Sequence, residues 1–237
     1  MNRLAPHSVF SFATLMLCLS CANASEIVDW HFNQLSSIGG HSLGIEGKPE
    51  LVESTLGSAL LFDGKGDRLQ INGNPVAGAD QFTLELILKP LAPLAAGREP
   101  RIIHIENASR SDHRITIEMR FTDKGDWYLD AFVLDGDSRY TLIDSSLTHP
   151  GNQWAHIAIS YGKGKFRSYV NGKAELSAPV NYSPMASSAN TSAGARMNKV
   201  HYFHGLLLRL RSTPALLSPD QFLSITSLQK NSGDKPQ

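Results

Sequence analysis

Apolar residues recur at every second position along much of this chain and seldom at helical spacing. Phe82, Leu84, Leu86 and Leu88 alternate with Thr83, Glu85, Ile87 and Lys89. Ile115, Ile117, Met119 and Phe121 alternate with Arg114, Thr116, Glu118 and Arg120, and Trp127, Leu129, Ala131 and Val133 follow in the same manner. Ala155, Ile157, Ile159 and Tyr161 form a fourth series; Leu206, Leu208 and Leu210, set against Arg209 and Arg211, form a fifth. Successive side chains of a strand point to opposite faces, so this period predicts strands with one buried and one outward face. Gly, Pro, Asn and Asp bound the runs, as tight turns between antiparallel strands require. Asn171-Gly172 is the dipeptide that tolerates positive φ at both central positions of a type I′ hairpin.

The period fails in three places. Residues 91–100, with Pro93 and Pro100, read as a loop. So does 181–194, rich in Ser, Ala, Asn and Thr, which is longer than most connections and reads as a plain surface segment ahead of a binding loop. Near the C-terminus, Ser218-Pro219-Asp220-Gln221 supplies a capping hydroxyl, a proline at the first helical position and a glutamine three residues on. Phe222, Ile225 and Leu228 would then share one face of a short helix on the sandwich edge, with a loose tail at 230–237.

The first 24 residues read as a signal peptide: Arg3, an apolar run at 9–19 too short to span a bilayer, and the cleavage pattern Ala22-Asn23-Ala24. The expected mature chain starts at Ser25 and is secreted or periplasmic. Cys18 and Cys21 leave with that segment, so neither a disulfide framework nor a catalytic thiol is expected. The alternative, a lipoprotein acylated at Cys21, is disfavoured by Cys18 where leucine is expected. Losing Arg3 takes the 22 Lys and Arg residues to 21 against 22 Asp and Glu, a formal charge of −1. Such a balance argues against nucleic-acid or anionic-membrane partners, and no second long apolar run predicts a transmembrane segment. Residues 25–229 fit one all-β domain, an antiparallel two-sheet sandwich with a short C-terminal helix.

Several segments together resemble the laminin G-like (LamG-like) domains of the concanavalin A-like lectin/glucanase jelly-roll superfamily. They are Phe62-Asp63-Gly64 with Asp67, Phe82–Pro90, Trp154-Ala155-His156, the strand ending in Val170-Asn171-Gly172, and Phe203-His204-Gly205 followed by Leu217-Ser218-Pro219-Asp220-Gln221. The resemblance runs through nearly the whole mature chain. It implies a jelly roll and a protein that presents a surface to glycans or partners. Relatives commonly follow the closing glycine with an acidic segment that helps hold a structural calcium. Here Leu206-Leu207-Leu208 follows Gly205, so calcium is optional, with Asp63 and Asp67 as its candidate ligands. Aspartates on such a loop more often hold a turn.

The candidate chemistry lies on the outward strand faces. Alternation sets His104 and Glu106 opposite Ile103 and Ile105, and turns Arg114, Glu118 and Arg120, then Tyr128 and Asp130, away from the core. Neighbouring strands would collect them on one surface. Arginines pair bidentately with uronate or sulfate, carboxylates accept from sugar hydroxyls, and an aromatic ring covers a pyranose face. The same residues could equally be a solvated ion-paired face. The Glu-x-Asp strand segment of glycosidases on related folds is absent, and Thr116-Ile117-Glu118-Met119-Arg120 lacks the first arginine of the Arg-x-Glu-x-Arg strand of alginate-lyase relatives. His156 reads as a hydrogen-bonded structural histidine. The expectation is a secreted, non-catalytic carbohydrate-binding (lectin-like) or partner-binding protein that needs no cofactor, its partner a polysaccharide, a glycoconjugate or a cell-surface protein. The alternatives are a lyase or glycoside hydrolase using the same concave face on an anionic polysaccharide, and an adhesion domain that uses loops.

Overall fold

A computed structural model describes residues 26–91 and 99–233. The expected signal peptide with Cys18 and Cys21, most of the expected loop at 91–100, and the end of the expected tail lie outside the described residues. The strands, in chain order, are β1 (Val28–His31), β2 (Leu43–Glu46), β3 (Glu50–Ser54), β4 (Gly57–Asp63), β5 (Arg68–Ile71), β6 (Phe82–Pro90), β7 (Arg101–Asn107) and β8 (Arg110–Phe121). They continue with β9 (Trp127–Asp135), β10 (Ser138–Ile143), β11 (Ala155–Gly162), β12 (Lys165–Val170), β13 (Lys173–Pro179), β14 (Asn190–Ala193) and β15 (His204–Thr213). One helix, α1 (Ile225–Gly233), ends the described chain.

These strands make two antiparallel sheets. The first runs β13-β12-β11-β6-β15-β4-β3, with β1 also on β15; the second runs β10-β9-β8-β7-β14-β5-β2. Inward residues of both sheets join one apolar cluster: Leu84, Leu86, Ile157 and Ile159 from the first, Ile115, Ile117, Leu129 and Ala131 from the second. Trp30, Phe32, Phe62, Trp127 and Phe166 fill it. The predicted hairpin is present: Asn171 (φ 49°) and Gly172 (φ 76°) both take positive φ between β12 and β13, as a type I′ turn requires.

Three expectations need correction. Leu206, Leu208 and Leu210 do not share a face, because the ladder between β15 and β6 slips between Leu207 and Arg209. Such a bulge inserts one residue and reverses the alternation beyond it. Leu207 and Leu210 therefore enter the main core, while Leu206 and Leu208 join Leu56, Ala59 and Ile87 on the outer side of the first sheet. The loop expected at 181–194 contains β14, which bridges β5 and β7. Its Asn-Thr-Ser-Ala carries little apolar signal, yet Thr191 and Ser192 are fully buried.

The third correction concerns the C-terminal segment. A 3-10 turn spans Pro219–Gln221, Phe222 is extended (φ −68°, ψ 160°), and α1 begins only at Ile225. The Leu223 amide donates to Glu85 Oε1 at 2.7 Å instead of continuing a helix. Phe222 meets the rings of His156 and Tyr169, with centroids 5.3 and 5.2 Å apart. Thr83, Glu85 and Ile87, on the outer side of β6, are thereby buried along with its inner side.

Gly194, just after β14, has φ +86°, and a Cβ there would come within 2.3 Å of the Phe62 ring and 3.0 Å of the Asp67 carbonyl. Gly194→Ala should combine backbone strain with overpacking and cost about 2–4 kcal/mol. Urea unfolding checks this, and an unchanged midpoint would show that the Phe62 ring yields freely.

Candidate polar binding face

The outward side of β7, β8 and β9 carries a cavity of about 210 Å³ lined by Arg101, His104, Arg114, Thr116, Glu118, Arg120, Asp130, Phe132, Thr141 and Arg196. Cross-strand register explains the gathering. Arg101 faces Glu118 and His104 faces Thr116 between β7 and β8; Glu118 faces Asp130 and Thr116 faces Phe132 between β8 and β9. Five of the seven residues expected on this face line the cavity: His104, Arg114, Glu118, Arg120 and Asp130. Glu106 and Tyr128 do not. Glu106 bonds His104 Nε2 from outside the lining, and Tyr128 is the β9 partner of Arg120.

One end of the cavity is an ion-paired cluster. Arg101 Nη1 lies 2.9 Å from Glu99 Oε2, and its Nε lies 2.9 Å from Glu118 Oε1. The second contact is misaligned, so the buried Nε–H lacks an acceptor. Arg120 contacts Asp130 Oδ2 at 2.8 Å and also reaches Glu99. Burial, with Asp130 adding to it and Arg101 and Arg120 opposing it, pushes the Glu118 carboxyl up to about 7. Burial also raises Asp130, against the pull of Arg120. Two carboxyls crowded in a poorly solvated site resist ionising together.

At the other end, His104 is buried with both ring nitrogens engaged. Nε2 lies 3.1 Å from Glu106 Oε2, and Nδ1 accepts from the Met197 amide at 3.3 Å. Burial lowers its pKa, with Glu106 opposing. It is therefore a neutral Nε2–H ring that fixes two neighbours. Arg114 donates to the Ser111 carbonyl at 2.8 Å and its guanidinium lies 5.4 Å from the Phe132 ring centroid. Arg196 is delivered by the turn after β14. The Ser192 hydroxyl donates to the Ala195 carbonyl at 2.8 Å, and the Arg196 amide bonds the Val200 carbonyl at 3.0 Å.

The candidate set read from the sequence lacks Arg101, Thr116, Phe132, Thr141 and Arg196. Arg101 has the wrong parity for His104, and a register shift between Arg101 and Ile103 turns it outward. Thr116 already stands in the outward series with Arg114, and Phe132 continues the one read from Asp130, so following both series through would have found them. Nothing in the sequence around Arg196 marks the short strand that presents it.

Asp63 and Asp67 hold a turn. Asp63 Oδ1 accepts from the amides of Lys65 (2.8 Å), Gly66 (2.9 Å) and Asp67 (3.1 Å). Asp67 accepts from Lys48 N at 2.6 Å and Asp63 N at 2.9 Å. N–H groups occupy the directions a cation would need, so this donor set fits calcium poorly. Among the described residues, no group of three or more His, Cys, Asp or Glu side chains is placed to hold a metal, and no helix is long and apolar enough to cross a membrane.

A family model described as "Concanavalin A-like lectin/glucanases superfamily" (Laminin_G_3) matches residues 63–221. No curated protein matches the chain. Among solved structures it is similar to domain 4 of an extracellular GH43 arabinanase from Geobacillus stearothermophilus, in complex with arabinotriose. That pair has TM-score 0.64 and 21% identity, covering 85% of this chain and 97% of the other. It is also similar to the binding domain of botulinum neurotoxin serotype D, with TM-score 0.62 and 17% identity, covering 88% of this chain and 51% of the other. The binding domain of botulinum neurotoxin DC, in complex with SialylT, gives TM-score 0.63 and 15% identity, covering 87% of this chain and 51% of the other. The chain thus spans about half of each toxin domain.

Proposed function

Since this chain belongs to the concanavalin A-like lectin/glucanases superfamily, we propose that it is a non-catalytic carbohydrate-binding domain whose ligand lies on the outward face of β7, β8 and β9. The observation that carries the reading is the cavity there, where guanidinium, carboxyl, hydroxyl and aromatic groups converge. Sugars need this mixture, since their hydroxyls both donate and accept and their ring faces are apolar. The arabinanase domain in complex with arabinotriose and the toxin domain in complex with SialylT support it at the level of fold. Export behind the N-terminal segment belongs to the same reading.

An enzyme acting on an anionic polysaccharide is the second reading. Glu118 favours it, because a buried carboxyl near 7 beside a second carboxyl is what a general acid requires. Binding without chemistry is preferred because Asp130 is tied to Arg120 and Glu118 to Arg101. A lyase base is also hard to assign: His104 has no free ring nitrogen and Tyr128 does not line the cavity. The test is incubation of the purified protein, with and without a chelator, with neutral and uronate-containing polysaccharides. Gel retention and new unsaturated or reducing ends are both followed, with Arg120→Ala as control. Retention without products, lost in the variant, supports binding. Product formation replaces that reading with the enzymatic one, and neither retention nor products removes both.

A further inference from the structure

The four arginines of the cavity differ in what neutralises them. Arg101 and Arg120 share Glu99, Glu118 and Asp130. Arg114 and Arg196 have no carboxylate within ion-pair distance among the described residues. Arg114 is held by a carbonyl oxygen and an aromatic ring. No hydrogen bond ties down the Arg196 guanidinium among the described residues. Glu106, which faces Arg114 across the ladder, attracts both, but its Oε2 is taken by His104. Burial and the charge of Arg196 together lower the pKa of Arg114, the mark of two guanidiniums close enough to repel.

Two like charges in a partly desolvated cavity are costly unless an anion sits with them. The turn carrying Arg196 is braced by Ser192, the Val200 carbonyl and the bond from the Met197 amide to His104, so the backbone that presents the guanidinium is fixed. We infer that Arg114 and Arg196 form the seat for the acidic group of an anionic glycan, a uronate carboxylate or a sulfate. The sugar ring extends from there toward Glu118 and Asp130. Guanidiniums bind either oxyanion through paired N–H groups, while the carboxyl end accepts sugar hydroxyls and, where Glu118 keeps its proton, donates to one. This inference rests on the carbohydrate-binding reading above and adds the chemical class of the ligand and the place of its charge.

The experiment is calorimetric titration of the whole mature protein with three soluble oligosaccharide preparations: a uronate oligomer, the same oligomer after carboxyl reduction, and a sulfated oligomer. Either acidic preparation should bind about tenfold or more tightly than the reduced one, the size expected for one charge-assisted contact. The advantage should shrink as salt is raised. Arg196→Gln and Arg114→Gln should each remove it, and Arg196→Lys should keep part of it. Circular dichroism checks folding, and Arg196→Lys serves if a glutamine variant does not fold. Which acidic preparation binds identifies carboxylate or sulfate. Equal affinity for acidic and reduced oligomers, or an acid preference that survives Arg196→Gln, overturns the inference and leaves carbohydrate binding standing. No binding of any preparation overturns both.

Discussion

Glu118→Gln should stabilise the protein by about 3 kcal/mol more at pH 8 than at pH 5, relative to the unaltered chain. Burial raises the folded-state pKa of Glu118 to about 7, whereas the carboxyl of an unfolded chain titrates near about 4.3. Between those values the folded protein holds a proton that the unfolded chain releases. Glu118 therefore contributes stability that is fully present at low pH, declines as pH rises from about 4.3 and is gone above about 7. Glutamine resembles the protonated form at every pH and escapes that decline. Glu85, Glu99 and Glu106 have lowered pKa values, so their contributions run the other way and fall off as pH drops. They are common to both proteins and largely cancel in the difference. Urea midpoints of the two proteins at pH 5, 6, 7 and 8 provide the check. Parallel curves would mean that Arg101 neutralises Glu118 fully and that the carboxyl ionises in the ordinary range.

The second large effect belongs to Glu85, a fully buried carboxylate on the outer side of β6. Burial alone would raise its pKa, but donors from His156, the Leu223 amide and Arg211 hold it low. The contacts are 3.1 Å to His156 Nε2, 2.7 Å to Leu223 N and 2.6 Å to Arg211 Nε. Glu85→Ala strands all three donors, one of them a permanent cation, and should cost about 3–5 kcal/mol. Glu85→Gln keeps the shape and should cost less. Hydrogen exchange separates this loss from a general weakening. Residues 217–228 should lose protection first, since Leu217 N on Thr83 and Leu223 N on Glu85 tie that segment to β6. An unchanged unfolding midpoint in Glu85→Ala would mean that the network is replaced by water at no cost.

Glu85 also marks where the sequence was legible and where it was not. Its place in the run Phe82–Pro90 gave the strand and the outward direction, because a period of two survives whatever packs on top. That the outward side is buried could not be read there, since the cover comes from residues 215–228, far along the chain. The face around Glu118 repeats the lesson. Arg114, Glu118, Arg120 and Asp130 were found because β8 and β9 pair without a slip from His113 to Phe121. Arg101 was missed at a register shift, and Leu206 and Leu208 were assigned to the wrong side at another. Bulges leave no reliable mark in an alternating pattern. Strand β14 was missed for a different reason: its small polar residues are held by neighbours on both sides, and tertiary context supplies what local propensity lacks.

The position of β15 in the first sheet has a consequence for how the chain is made. It is the last strand in sequence among the described residues, yet it lies between β6 and β4 and also pairs β1, so the layer cannot close until it arrives. While a ribosome is still producing residues 204–213, the layer can form only as β6-β11-β12-β13, β3-β4 and an unpaired β1, each with a raw hydrogen-bonding margin. Such margins invite pairing with other chains, and joining distant segments is slow. A nascent chain of this protein is thus exposed to self-association until residues 204–213 have emerged, and a copy cut short before His204 would carry that hazard permanently.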